Sequence, residues 1–324
     1  MKRVSVFMDV EDPMNPLADD AALEFAQLFT NLGLRGSFCI TGEKCRTLLQ
    51  RGRNDVLDAY CPHCLGLHTD THSYHPTTME LLADCEYEEG CQNALQTETK
   101  GAQSFETAFG RKPAFWGGAG NTWCPEITFA LTHLGIPAYS YALTGLPGGP
   151  VHRFNGVIAL PQHLSIHESE WADDEVAAAK TAQTIQAIQV HPQPWVGVFV
   201  GHPTRFRHVD YWDLAYGNGQ TSPTPVPTPA TDEATYQRSK ANLRSFLTRL
   251  QDQCQVAGLD EVLALPWRFR PPTDTEYESA ATKTAQNIAS AAKWPIHNAD
   301  LTPDRIIAKT LALAHTLEVG ELAD

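Results

Sequence analysis

An α/β fold built on a parallel sheet, open or closed into a barrel, is the class this sequence predicts, and three observations predict it. Short β-rich apolar runs alternate with longer segments of helical spacing over about 260 residues. One run, Trp195-Val196-Gly197-Val198-Phe199-Val200, is apolar throughout, as a strand buried on both faces is. Carboxylates or histidines also stand where three of the runs stop, and parallel α/β architectures gather their chemistry at the carboxyl ends of strands.

Taken in order, Val4 to Met8 reads as the first strand. Asp19 to Leu32 follows with Ala22, Phe25, Ala26, Phe29 and Leu32 at helical spacing, and Gly33 stops it. Gly36 to Ile40 is a second strand and Leu65 to His68 a third. A helix is expected over Glu89–Phe109, a strand over Pro113–Trp116, a helix over Pro125–Leu134 and a strand over Ala138–Ala142. Gly156–Leu160 is strand-like, and Asp173–Val190 is a helix before the apolar strand at Trp195. Thr221 to Pro229 alternates proline with small polar residues, an extended loop. Beyond Pro271-Pro272 a helical tail of small residues follows, with a last helix from Leu301-Thr302-Pro303-Asp304 to Leu317. The expected division is a barrel over 1–270 and a helical C-terminal extension over 271–324 packed on it.

Composition narrows the function. The chain has 324 residues, 42% hydrophobic and 19% charged, which suits a substantial core and neither a disordered chain nor a coiled coil. Its formal net charge is −14, and its 24 basic residues are scattered singly. Nothing there follows a phosphate backbone, so nucleic acid and anionic membrane are excluded as expected partners. The N-terminal apolar run is short and ends at Asp9, and no stretch nears the roughly 20 apolar residues of a membrane span. A cytoplasmic protein with reduced cysteines is expected. Cys61-Pro62-His63-Cys64 has ligand spacing, but Cys85 and Cys91 make a poor second pair. Ordinary thiols are the reading, with a small metal site or a redox disulfide as alternatives.

The chemistry concentrates in "GLHTDTHSYHP", residues 66–76. His68 and His72 stand four apart, so one helical turn would point both imidazoles the same way. With one carboxylate they make a site with open positions, suited to zinc, cobalt, nickel or iron. A second carboxylate beside the metal would serve as base for its water. The first strand runs out into Asp9-Val10-Glu11-Asp12, and strand alternation puts Asp9 and Glu11 on one face, which favours Glu11 over Asp12 as the ligand. His75 is a further candidate ligand, against a capping or substrate contact before Pro76. His163 and His167 are also four apart, but no strand-end carboxylate motif accompanies them and they are read as structural. Asp210, Trp212 and Asp213 are candidates for a pocket rim, and Trp116, Trp123 and Trp212 for stacking on a sugar.

These stretches, in this order, resemble the polysaccharide deacetylase family, the NodB-homology group of carbohydrate esterases. "VFMDVED" resembles its first motif, "GSFCITG" its second strand, His68-Thr69-Asp70-Thr71-His72 its His-x-x-x-His motif and "GVFVGHP" its late histidine motif. The resemblance implies a distorted (β/α)7 barrel, Asp9 as base, Glu11, His68 and His72 as metal ligands, and His202 as the acid that protonates the leaving amine. It implies a divalent transition metal, Zn2+ first, with Co2+, Ni2+ or Fe2+ as alternatives. One departure stands out: Trp116 occupies the position where the family has an arginine near its base, a place Arg205 could fill.

The expected function is metal-dependent removal of an acetyl or other acyl group from an N-acylated amino sugar or related amide, with a small-molecule or oligosaccharide substrate. Two alternatives are an allantoinase-like C–N hydrolase on a small non-sugar amide and an inactive barrel acting as a binding protein. The oligomeric state stays open.

Overall fold

The computed structural model describes residues 2–140, 151–214, 228–297 and 301–323. Its strands are β1 (Arg3–Val10), β2 (Ser37–Ile40), β3 (Cys64–Leu67), β4 (Trp116–Gly117), β5 (Ala138–Ser140), β6 (Val151–Phe154), β7 (Val157–Leu160), β8 (Leu164–Ser165), β9 (Trp195–Phe199), β10 (Gln255–Val256), β11 (Trp267–Arg270) and β12 (Glu318–Leu322). They share one sheet in the order β11-β12-β6-β7-β5-β4-β3-β2-β1-β9-β8, with β10 also paired to β1. From β7 to β8 the run is parallel, and β6, β12 and β11 add an antiparallel edge.

The sheet curls into a distorted barrel, and one segment links the two ends of its parallel run. β7 pairs with β5, and after Pro161–His163 the same segment, as β8, pairs with β9. Gly197 permits that approach: a Cβ there would stand 2.7 Å from the Pro161 carbonyl oxygen and 2.9 Å from the Phe7 ring.

Alternation along β1 sorts side chains into two layers. Val4, Val6, Met8 and Val10 face the helices and join the large core there. Phe7 points into the barrel, where it packs with Cys39, Phe115, Leu160, Trp195 and Phe199. Asp9 has the same parity as Phe7, so β1 delivers a carboxylate to the barrel's carboxyl end. Burying one such large side chain is worth about 1.5–3 kcal/mol, so the interior apolar set fixes which face Asp9 and Glu11 occupy.

Helices cover the outside where the periodicity placed them. Pro16–Asn31, Tyr87–Phe109, Pro125–Leu134 and Asp174–Val190 form, with Pro125 in the first turn of its helix and Gly110 and Gly135 as left-handed caps behind theirs. Buried Lys44, on the helix Gly42–Gln50, holds the loop after β1. Its Nζ lies 2.5 Å from Asp19 Oδ1 and 2.5 Å from the Asp12 carbonyl. Both side chains of that ion pair are 1% exposed, and removing one partner of such a pair costs about 3–5 kcal/mol.

Two expectations need amending. The strand expected over Pro113–Trp116 is only Trp116–Gly117. The last helix runs Asp304–Ala312 instead of continuing to Leu317, and the chain then turns into β12, antiparallel between β6 and β11. The extension thus carries the helices Asp274–Ala291 and Asp304–Ala312 and also an edge of the sheet. Ala142 and most of the proline-rich loop lie outside the described residues.

Candidate active site

Five side chains expected in the site meet at the carboxyl ends of three strands. Asp9 is the last residue but one of β1 and Glu11 follows the strand, His68 follows β3, and His202 lies beyond β9. All five, His72 among them, line a cavity of about 270 Å³. Glu11 Oε2 is the point of convergence: 2.9 Å from His72 Nε2, 3.5 Å from His68 Nε2 and 3.7 Å from His202 Nε2. Asp9 Oδ2 lies 3.8 Å from His68 Nε2 and 3.9 Å from His202 Nε2.

The imidazoles of His68 and His72 converge because the backbone between them turns sharply, not because it is helical. Thr69 and His72 both adopt positive φ, 57° and 56°, which is costly for non-glycine residues and most of all for a β-branched one. The turn is held by the Thr69 side chain, whose Oγ1 accepts from His72 N at 3.0 Å, and by Gly42 N, which donates to the Thr69 carbonyl.

Outer partners set the tautomers. His68 Nδ1 donates to the Gly117 carbonyl at 3.0 Å. Ser73 Oγ donates to Asp213 Oδ2 at 2.5 Å, so it accepts from His72 Nδ1, also 2.5 Å away. In its neutral form each ring therefore presents a bare Nε2 to Glu11. His72 Nε2 is buried and makes no hydrogen bond of its own, although the Glu11 oxygen is 2.9 Å away. A carboxylate oxygen and an imidazole nitrogen converging in a buried pocket are donors that a cation fits. Glu11, His68 and His72 offer ligand atoms that all lie within 4.8 Å of one another. Two imidazoles and a carboxylate with open positions fit a divalent transition metal.

Charges within the site agree with this assembly. Burial works to raise the Glu11 carboxyl, but when the rings carry protons, charge on His72 and His202 and hydrogen bonds from His68 and His72 outweigh it and hold Glu11 well below the usual carboxylate range. Burial disfavours protonated His202, but Glu11, Glu168 and Asp9 overcome it and raise the ring to about 9. Glu168 is its direct partner, with Oε1 bonded to His202 Nδ1 and accepting from the His202 backbone N–H at 2.7 Å.

The structure does not bring the alternates into the cavity. Asp12 accepts from Met14 N, Asn15 N, Asn15 Nδ2 and Thr204 Oγ1, pinning the loop. His75 pairs with Glu80 at the start of the helix Thr78–Ala83. Arg205 donates to the His208 carbonyl and stacks on Tyr211, 4.6 Å from the ring centre. Trp116 is fully buried, and its Nε1 donates to Glu98 Oε2 at 2.8 Å; burial pushes the Glu98 carboxyl up to about 8. Cys61 is exposed and Cys64 buried, and neither joins a ligand cluster among the described residues.

Other residues in and around the site escaped the sequence reading. Ser73 carried no signal beyond standing next to His72, and Glu168 none beyond standing next to His167. Trp294, from the C-terminal extension, lines the cavity with its ring 5.5 Å from that of His72. Of the tryptophans considered for stacking, Trp116 and Trp123 are buried, and Trp212 sits beneath the site with Nε1 3.2 Å from Glu11 Oε1. Asp213 lines the cavity as the rim expectation has it, while Asp210 does not. His167, read as structural, is a lining residue.

No protein-family model and no curated protein matches the chain. Solved structures do. A 4-alpha-glucanotransferase from Thermococcus litoralis superposes with a TM-score of 0.53 at 13% identity, over 81% of this chain and 40% of that one. A CE4 family pseudoenzyme from Bacillus anthracis gives 0.46 at 13% identity, and the match spans 81% of this chain and 66% of the pseudoenzyme's length, just under two thirds. A putative polysaccharide deacetylase from Mycobacterium smegmatis gives 0.52 at 12% identity, over 80% of this chain and 88% of that one. At such identities the likeness is one of fold: the chain shares the curled α/β barrel of these structures.

Proposed function

We propose that this protein is a metal-dependent amide hydrolase that removes an acetyl group from an N-acylated amino sugar. The observation that carries the reading is the convergence of Glu11 Oε2 with the bare Nε2 atoms of His68 and His72, beside a carboxylate and a cationic imidazole left over for proton transfer. Glu11, His68 and His72 would hold the cation, Zn2+ first. When bound, such an ion polarises an amide carbonyl and lowers the pKa of water.

The remaining steps belong to the chain. Asp9 accepts a proton from the attacking water as its oxygen bonds to the carbonyl carbon. His202, kept protonated by Glu168, delivers its Nε2 proton to the amide nitrogen as the C–N bond breaks. Acetate and a free amine leave. His202 thus takes the acid role because the carboxylates around it keep it protonated, and Asp9 beside it is left to take the base role.

The cavity wall favours a sugar over a small acid. Phe199, Tyr211 and Trp294 supply aromatic surface, and no arginine is among the described lining residues. A soluble oligosaccharide or monosaccharide suits a cytoplasmic address, which is part of the proposal; among the described residues no helix is long and apolar enough to cross a membrane. On this reading residues 1–270 form the catalytic barrel and 271–324 an extension that adds Trp294 to its wall.

The test is acetate release from N-acetylglucosamine and its short β-linked oligomers by protein reconstituted with Zn2+ or Co2+, alongside Asp9→Asn. Release that falls at least a thousandfold in Asp9→Asn, with metal retained, supports the proposal. A full complement of metal with no acyl release from any amino sugar overturns it, in favour of a small-amide hydrolase if those substrates turn over and of a binding protein if they do not.

A further inference from the structure

Cys39 faces the barrel interior directly beside Asp9. The two are register partners on β2 and β1, so their side chains project to the same face. Cys39 is 1% exposed and packs among the interior apolar residues beneath the cavity. Asp9, Cys39 and His68 form a second group of buried donors whose ligand atoms all lie within 4.8 Å of one another. His68 belongs to both groups. Its Nδ1 is committed to the Gly117 carbonyl, so its one free lone pair, on Nε2, can serve a single cation at a time.

We propose that the site has two mutually exclusive seats for one cation: an outer seat of Glu11, His68 and His72, and an inner, thiolate-containing seat of Asp9, Cys39 and His68. The inference rests on the proposed hydrolase reading for the outer seat. Occupying the inner seat forms a bond from the cation to Cys39 Sγ and releases the thiol proton to solvent. It also turns the Asp9 carboxylate into a ligand, which removes the base. Ligand softness divides the cations: the softer Cd2+ takes the inner seat, whereas Zn2+, Co2+ and Ni2+ are served as well by the two imidazoles and carboxylate outside. Cys39 is therefore a selectivity device, by which a soft cation silences the centre.

The experiment is titration of metal-stripped full-length protein with Cd2+, followed by the near-ultraviolet thiolate-to-cadmium charge-transfer absorption. The expected result is a band that saturates near one equivalent, survives in His72→Ala and disappears in both Cys39→Ala and Cys39→Ser, with the circular dichroism of each variant confirming the fold. A band that persists in both Cys39 variants assigns the thiolate elsewhere, with exposed Cys61 the first to check, and overturns the inference. Loss of the band in His72→Ala also overturns it, because Cys39 then serves the outer cation and there is no second seat. Acetate release without any band leaves the hydrolase reading standing and the inner seat refuted. A Cys39-dependent band without acyl release from any substrate does the reverse.

Discussion

Two histidine pairs in this molecule have the same spacing and opposite fates. His68 and His72 bring their rings to 4.9 Å, and both turn a bare nitrogen to Glu11. His163 and His167 straddle β8. The first accepts from Gly197 N through Nδ1 at 2.8 Å and packs against His191 and Trp195, while the second emerges on the cavity wall. The sequence spacing is identical, so it is the backbone that decides. An extended segment spreads an i, i+4 pair along the strand, whereas a turn with two residues at positive φ folds it back on itself. A His-x-x-x-His pattern therefore indicates a ligand pair only together with the conformation that closes it.

The strongest way to break the contrast is to remove one member of each pair. His72→Ala should lower the affinity of the outer seat for Co2+ at least a hundredfold and acetate release at least a thousandfold, read by equilibrium dialysis and by rate. His163→Ala should leave the metal in place. It removes the acceptor of the Gly197 N–H and so costs about 1–3 kcal/mol of stability, measurable by denaturant unfolding. Equal metal loss in both variants would erase the distinction.

A smaller effect probes what stands behind the ligand pair. Ser73 is fully buried and joins His72 Nδ1 to Asp213, itself 4% exposed. Ser73→Ala leaves a buried donor and a buried carboxylate oxygen facing a gap, and frees the His72 ring to change tautomer. Losses of ten- to a hundredfold in metal affinity follow when such partners are removed. The expected result is a loss in that range, with Asp213→Asn nearer wild type because an amide oxygen can still accept from Ser73. Unchanged affinity in Ser73→Ala would mean that the turn alone orients His72.

The same contrast marks what the sequence could reveal. Asp9, Glu11 and His202 were legible as residues of one cavity because strand parity and strand ends are local properties, readable from apolar alternation. His68 and His72 were legible as a pair, although the helical turn invoked for them is in fact a strained loop. Glu168, Ser73 and Trp294 were not legible. Each acts through a contact made only after distant segments meet: β8 beside β9, a loop closing over Asp213, and the extension folding back. β12 escaped because Val-Gly-Glu-Leu has neither the alternation nor the β-branched density of a strand, and its pairing with β6 supplies what propensity lacks. Trp116 shows the opposite error. The motif order gave it the place of an arginine near the base, whereas the fold buries it fully against Glu98.

The least effect is expected from the outward member of the second pair. His167 is exposed on the cavity wall, with its backbone N–H donating to Glu170 Oε2 at 2.8 Å, and it begins the short helical turn Glu168–Trp171 that carries the partner of His202. Its ring is free to meet a substrate hydroxyl but stands outside the ligand group. One hydrogen bond to a neutral partner is worth about 1 kcal/mol, roughly a fivefold change. His167→Ala is thus expected to raise KM for an amino-sugar oligomer about fivefold, with metal affinity at the wild-type value and kcat altered less than KM. His167→Asn, which keeps a donor and an acceptor at similar reach, should recover most of the loss. A fall in kcat with KM unchanged would instead place the effect on Glu168, because the turn that begins at His167 positions the carboxylate that keeps His202 protonated. That result would move His167 from the substrate wall to the acid's support.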